Sequence, residues 1–151
     1  MKRFFAVFLA LATLFCVAGC RASTNTPALD DHAYTLTLNK RITVVSNQII
    51  TQISNAQSIS DATKDNCIAS AQASIRIVDE AIQEVETMPA PAEYEADKQN
   101  ALRIMRLTKE HMEQFVSRMG ADNKNADYGD IVDLLQNDYN TLTAEFVPNY
   151  K

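Results

Sequence analysis

Six apolar residues, Ile68, Ala71, Ile75, Val78, Ile82 and Val85, follow one another at alternating spacings of three and four. At 3.6 residues per turn this spacing lines one side of an α-helix, whereas a strand of period two would scatter the same residues over both faces. A helix with such a seam is held in water mainly by covering the seam with other helices. The chain therefore needs helical partners, and three more segments supply the pattern. Residues 34–57 carry Leu38, Ile42, Val45, Ile49, Ile53 and Ala56. Residues 91–119 carry Tyr94, Ala101, Met105, Met112, Phe115 and Met119, and residues 127–147 carry Tyr128, Val132, Leu135, Tyr139, Leu142 and Phe146. The spacing predicts four helices, the second over residues 61–88.

The breaks between them have physical causes. Pro89 and Pro91 part the second and third segments, and Pro91 suits a first helical position because its missing N–H is not needed there. Gly120 stands where a left-handed cap would end the third helix. Asp127 and Asp130 give the fourth an acidic start, and Pro148 stops it. Between the first two segments there is neither Gly nor Pro. Extending the first seam by heptads would put Thr63, Asn66 and Ser70 in the core, out of phase with the second seam. The polar run 60–66 also offers N-caps. Two helices are expected there, the alternative being one long helix over residues 34–88. Short connections favour an all-α, antiparallel up-down-up-down four-helix bundle. At 1.5 Å per residue, helices of about 21–29 residues make it about 32–44 Å long.

The first twenty residues are of another kind. Lys2 and Arg3 precede an uncharged apolar run over residues 4–18, which closes on Ala18 and Gly19. Basic, apolar, small is the order of a secretory signal, and the run is shorter than the roughly 20 residues needed to span a bilayer. A retained short membrane anchor is the alternative. The residues Val17-Ala18-Gly19-Cys20 resemble the lipobox of bacterial lipoproteins. That resemblance implies cleavage between Gly19 and Cys20, a diacylglyceryl thioether on Cys20, and a further acyl chain such as palmitate on its amine. It also implies a membrane-anchored protein on the extracytoplasmic side. In a host with two membranes, Arg21 after the cysteine would imply the periplasmic face of the outer membrane. The expected organisation is a signal peptide over residues 1–19, a lipidated N-terminus and polar tether over 20–32, and a helical domain over 33–151.

Removing residues 1–19 takes away Lys2 and Arg3 and no acid. That leaves 12 of the 14 basic side chains against 19 acidic ones, a formal net charge of −7. Such a body is poorly suited to nucleic acid or to anionic lipid, so anchoring would fall to the acyl chains. Of three cysteines, Cys16 would leave with the signal and Cys20 would carry lipid. Cys67 would then stand alone, with no intrachain disulfide possible.

Motifs for chemistry are sparse. His32 and His111 lack a Glu three residues before them, as a di-iron bundle needs, because residue 29 is Leu and residue 108 is Thr. No Cys-x-x-Cys-His or Gly-x-Ser-x-Gly occurs, and Gly120 and Gly129 cannot build a phosphate loop. No catalytic residue, metal site or cofactor is therefore expected. Cys67 lies near the start of the second helix, where the helix dipole can activate a thiol, but as a neighbour of Ile68 it reads more plainly as an inert, semi-buried side chain. Met105, Met112 and Met119 form a heptad stripe beside His111. They read as core filling, with a metal or haem site as the alternative.

Two arrangements bear on partners. In the expected topology Asp30, Asp31, Glu84, Glu86, Glu93, Glu95 and Asp97 gather at the tether end, either as a solvated turn or as an acidic patch for Ca²⁺ or Mg²⁺. In the first helix, from residue 33 to residue 60, Lys40 and Arg41 are the only charges, and the polar positions are amides and hydroxyls. Asn47, Gln48 and Asn55 there form a possible partner face, since uncharged polar groups cost less to desolvate than charged ones. The expected function is a non-catalytic, lipid-anchored envelope protein of scaffold, envelope-maintenance or exclusion type. It would act through contacts with an envelope protein or with its own copies. The alternative is a bundle that binds a hydrophobic ligand, haem or a metal ion.

Overall fold

The computed structural model describes residues 29–121 and 127–146. The signal peptide, Gly19, Cys20 and most of the tether lie outside the described residues. Four α-helices follow in order: α1 over Asp31–Ser58, α2 over Lys64–Thr87, α3 over Glu95–Gly120 and α4 over Gly129–Phe146. One turn of 3₁₀ helix, Ala92–Tyr94, leads into α3. No strand occurs among the described residues. The fold is an all-α four-helix bundle.

The order of contacts along neighbouring helices is opposite in each pair. Late α1 meets early α2, through Asn55 and Ser70, and early α1 meets late α2, through Arg41 and Glu84. Lys98 at the start of α3 reaches the end of α2, and Arg118 at the end of α3 reaches Asp130 at the start of α4. This is the order an up-down-up-down path requires. Helices α1 and α3 also meet across the centre while α2 and α4 do not, so the cross-section is a rhombus.

Helix ends follow local chemistry. Asp30 accepts the Ala33 N–H at 2.8 Å, a side-chain N-cap that starts α1 at Asp31. The boundary expected after residue 32 is thus corrected: Asp31 and His32 are helical. Ile59 turns extended after α1, and Ser60 and Thr63 lock the break, with the Ser60 N–H donating to Thr63 Oγ1 at 2.8 Å. The single long helix is excluded. Pro91 precedes the 3₁₀ turn, and its carbonyl accepts the Tyr94 N–H. Gly120 does not adopt the expected left-handed cap. It is the last helical residue, and extended Ala121 closes the turn on the Ser117 carbonyl. Asp127 accepts the Gly129 N–H at 2.8 Å, so the acidic start of α4 is a cap two residues before the helix.

The core holds Ile42, Val45 and Ile49 of α1, Val78 and Val85 of α2, Met105, Met112, Phe115 and Met119 of α3, and Leu135 and Leu142 of α4. The methionine stripe is fully buried. Two seams are shifted from expectation. In α2, Cys67 and Ser74 are buried while Ile68 and Ile75 are only partly so. In α4, Ile131 and Asp138 are buried while Val132 and Tyr139 lie at the margin. Each shift has the same cause: the buried stripe turns toward two neighbours at once, and it admits polar side chains that find partners there.

Candidate functional site

Helix α1 meets α2 through a chain of hydrogen-bonded polar side chains. Gln52 is fully buried and donates from Nε2 to Ser74 Oγ at 2.8 Å. Ser74 donates onward to Gln48 Oε1 at 2.8 Å. Asn55 donates to Gln52 Oε1 and to Ser70 Oγ, both at 3.0 Å. At the foot of the chain the Cys67 thiol points at the Asn55 carbonyl oxygen, 4.0 Å away. Cys67 is buried, more deeply than the semi-buried position expected for it. The grouping of Asn47, Gln48 and Asn55 as one outward face is corrected. Residues 48, 52 and 55 follow at spacings of four and three along the flank that packs on α2, and only Asn47 is exposed.

Asn47 belongs to a different stripe. Leu36, Lys40, Thr43, Asn47, Ile50 and Ser54 are all exposed, at alternating spacings of four and three, on the side of α1 opposite its core seam. Leu36 is 42% and Ile50 46% exposed, the two most exposed large apolar side chains described. Lys40 is the stripe's one charge, since Arg41 pairs with Glu84. Leu36, Asn39, Lys40, Arg41, Thr43 and Val44 line a shallow groove along this face. The sequence shows the spacing and lack of charge here, but the amides of the inner flank obscured it.

The acidic residues of the tether end divide by role. Asp30 caps α1. Glu84 and Glu86 pair with Arg41 and Arg106, and Lys98 donates to the Glu86 and Met88 carbonyls at 3.0 and 2.7 Å. Glu93, Glu95 and Asp97 stay at the start of α3 near two stacked rings, Tyr34 and Tyr94, whose centroids are 5.4 Å apart. Burial pushes the Tyr34 hydroxyl up to about 12, with Glu95 and Asp97 adding to the rise. A recess of about 50 Å³ lies among Tyr34, Leu38, Tyr94, Asp97 and Phe146. Among the described residues no group of three or more His, Cys, Asp or Glu side chains is placed to hold a metal ion. Of the seven carboxylates expected at this end, Asp30 is used as a helix cap and Glu84 and Glu86 are engaged by arginine.

One polar pair escaped the sequence reading. His111 Nδ1 lies 2.7 Å from Asp138 Oδ2 between α3 and α4, with side chains only 13% and 7% exposed. Burial raises the Asp138 carboxyl above its ordinary value, and the hydrogen bond and charge of His111 partly offset this, with a contribution from Thr108. Thr108, beside the pair on α3, is itself fully buried. The available signal was the position of Asp138, three residues after Leu135 and four before Leu142, inside an apolar seam. Its partner is 27 residues away, beyond the reach of local periodicity.

No described helix is long and apolar enough to cross a membrane. Comparison of the chain with protein-family models, with curated proteins and with solved structures gives no match.

Proposed function

We propose that this chain is a non-catalytic, lipid-anchored protein of the extracytoplasmic membrane surface that acts by protein–protein contact through the outer face of α1. The anchor rests on the lipobox-like residues 17–20 and on the basic, apolar, small order of the segment before them. The observation that carries the contact role is the exposed stripe from Leu36 to Ser54. It combines the two most exposed large apolar side chains with a single charge on a body that is otherwise strongly acidic. Desolvating that face removes apolar surface from water and few charges, which is the composition of an interface centre. The remaining hydroxyls and Asn47 can exchange water for a partner's hydrogen bonds.

A photo-crosslinking residue placed at Thr43 in the full chain, in cells, tests the reading. Thr43 should yield a discrete protein adduct, whereas the same probe at exposed Arg103 on α3 should not. Equal or absent labelling at the two positions would remove α1 as the contact face.

A further inference from the structure

We infer that the partner seated on the outer face of α1 is α1 of a second copy, running antiparallel, with the two-fold axis at Thr43. The inference rests on the reading of that face as the contact surface and names its occupant. Leu36 lies seven residues before Thr43 and Ile50 seven after it. A two-fold axis at Thr43 therefore sets each Leu36 against the other copy's Ile50, making two apolar clusters about 21 Å apart along the helix. The same operation brings Lys40 beside Asn47, three residues before the axis against four after it, so each ammonium can donate to an amide oxygen. The two lysines fall on opposite sides of the axis. A parallel pairing would instead stack Lys40 on Lys40 and Asn47 on Asn47.

Charge selects the copy's approach as well as its direction. Helix α3 carries charges of both signs, whereas α2 and α4 expose an excess of carboxylates, Asp65 and Glu80 on α2 and Asp130 and Asp133 on α4 among them. Two copies of an acidic body repel through those faces, and meet through α1 without opposing acids. The stripe repeats at four and three, the spacing of a coiled-coil seam, and a polar residue such as Asn47 in a seam fixes register. The outer face thus repeats, with hydroxyls and one amide, the pattern that the inner face of α1 uses to bind its own bundle.

Disulfide trapping in membranes that contain the full-length protein reads the geometry. On mild oxidation Thr43→Cys should give a covalent dimer. Leu36→Cys alone should give none, whereas co-expressed Leu36→Cys and Ile50→Cys should link. The double variant L36K/I50K, changed only at exposed positions, should abolish the Thr43→Cys dimer and keep wild-type helicity. A Leu36→Cys self-dimer would overturn the antiparallel arrangement. Failure of both Thr43→Cys and the mixed pair would overturn self-pairing. If Thr43 then captured a different protein in the photo-crosslinking experiment, the contact role would stand and the identity of the partner would change.

Discussion

A buried carboxylate is expensive unless something answers its charge, and Asp138 is answered by a single imidazole. Burial holds its carboxyl above the ordinary value of 3.8, with His111 and Thr108 pulling it back part of the way. The folded state therefore keeps the proton to higher pH than the unfolded chain does. Between the ordinary value and the raised one the folded state binds more protons, so this group's contribution to stability falls as pH rises through the window and levels off above it. Among the described residues, the nearby bases are occupied elsewhere: Lys109 is spent on Asp79 of α2, and Arg118 on Asp130 of α4. Asp138→Asn keeps a hydrogen-bond acceptor for His111 and removes the titration. Its melting temperature should gain on that of the wild type as pH rises from 3.5, and the gap should become constant once the raised value is passed. A gap that stays the same across the whole range would mean that Asp138 ionises as it would in water.

At the scale of the elements, α1 works on two opposite sides, and the same kinds of residue behave differently on each. Asn55 bridges Gln52 and Ser70 at the α1–α2 seam, whereas Asn47, eight residues earlier, is exposed. Asn55→Lys should cost about 1–3 kcal/mol, because Gln52 Oε1 and Ser70 Oγ lose a donor in a confined place and a charge must find water. Asn47→Lys in dilute protein should change stability by no more than about 0.5 kcal/mol, as at an ordinary surface site. Urea midpoints at unchanged slope separate the two, and equal midpoints would refute the inward placement of Asn55. This pair also marks how far the sequence was legible. Apolar spacing located all four helices, and the loss of phase between the first two seams showed that they are separate, because burial of a stripe is a property of one helix; α2 begins at Lys64, three residues later than expected. Which flank joins the stripe depends on where two neighbours stand. Cys67 and Ser74 could therefore enter the core ahead of Ile68 and Ile75, and Gln48 and Asn55 could turn away from Asn47. The His111–Asp138 pair was hidden for the same reason: its two halves are brought together only by the packing of α3 on α4.

For the molecule as a whole, the proposed attachment has to overcome its charge. A body with 19 acids and 12 bases after removal of residues 1–19 is repelled by an anionic bilayer, and no described helix can cross one. Hydrocarbon is the remaining force: each buried CH₂ contributes about 0.8 kcal/mol, so one acyl chain holds marginally while two or more hold stably. The proposed chains on Cys20 therefore predict a membrane protein that high salt does not release and detergent does. The sulfur of Cys20 is the atom on which the acylation depends. Wild-type protein should incorporate an alkyne-tagged fatty acid and migrate at the mass left by cleavage after Gly19, and Cys20→Ser should do neither. Because an uncleaved precursor could stay on the membrane by its own apolar run, fractionation of Cys20→Ser does not decide the matter. Residues 21–151 behind an ordinary secretory signal do decide it: that body should appear in the soluble extracytoplasmic fraction with its helicity intact. Fatty-acid labelling of Cys20→Ser would move the anchor to another residue, and membrane retention of the 21–151 body would place the binding force in the bundle itself.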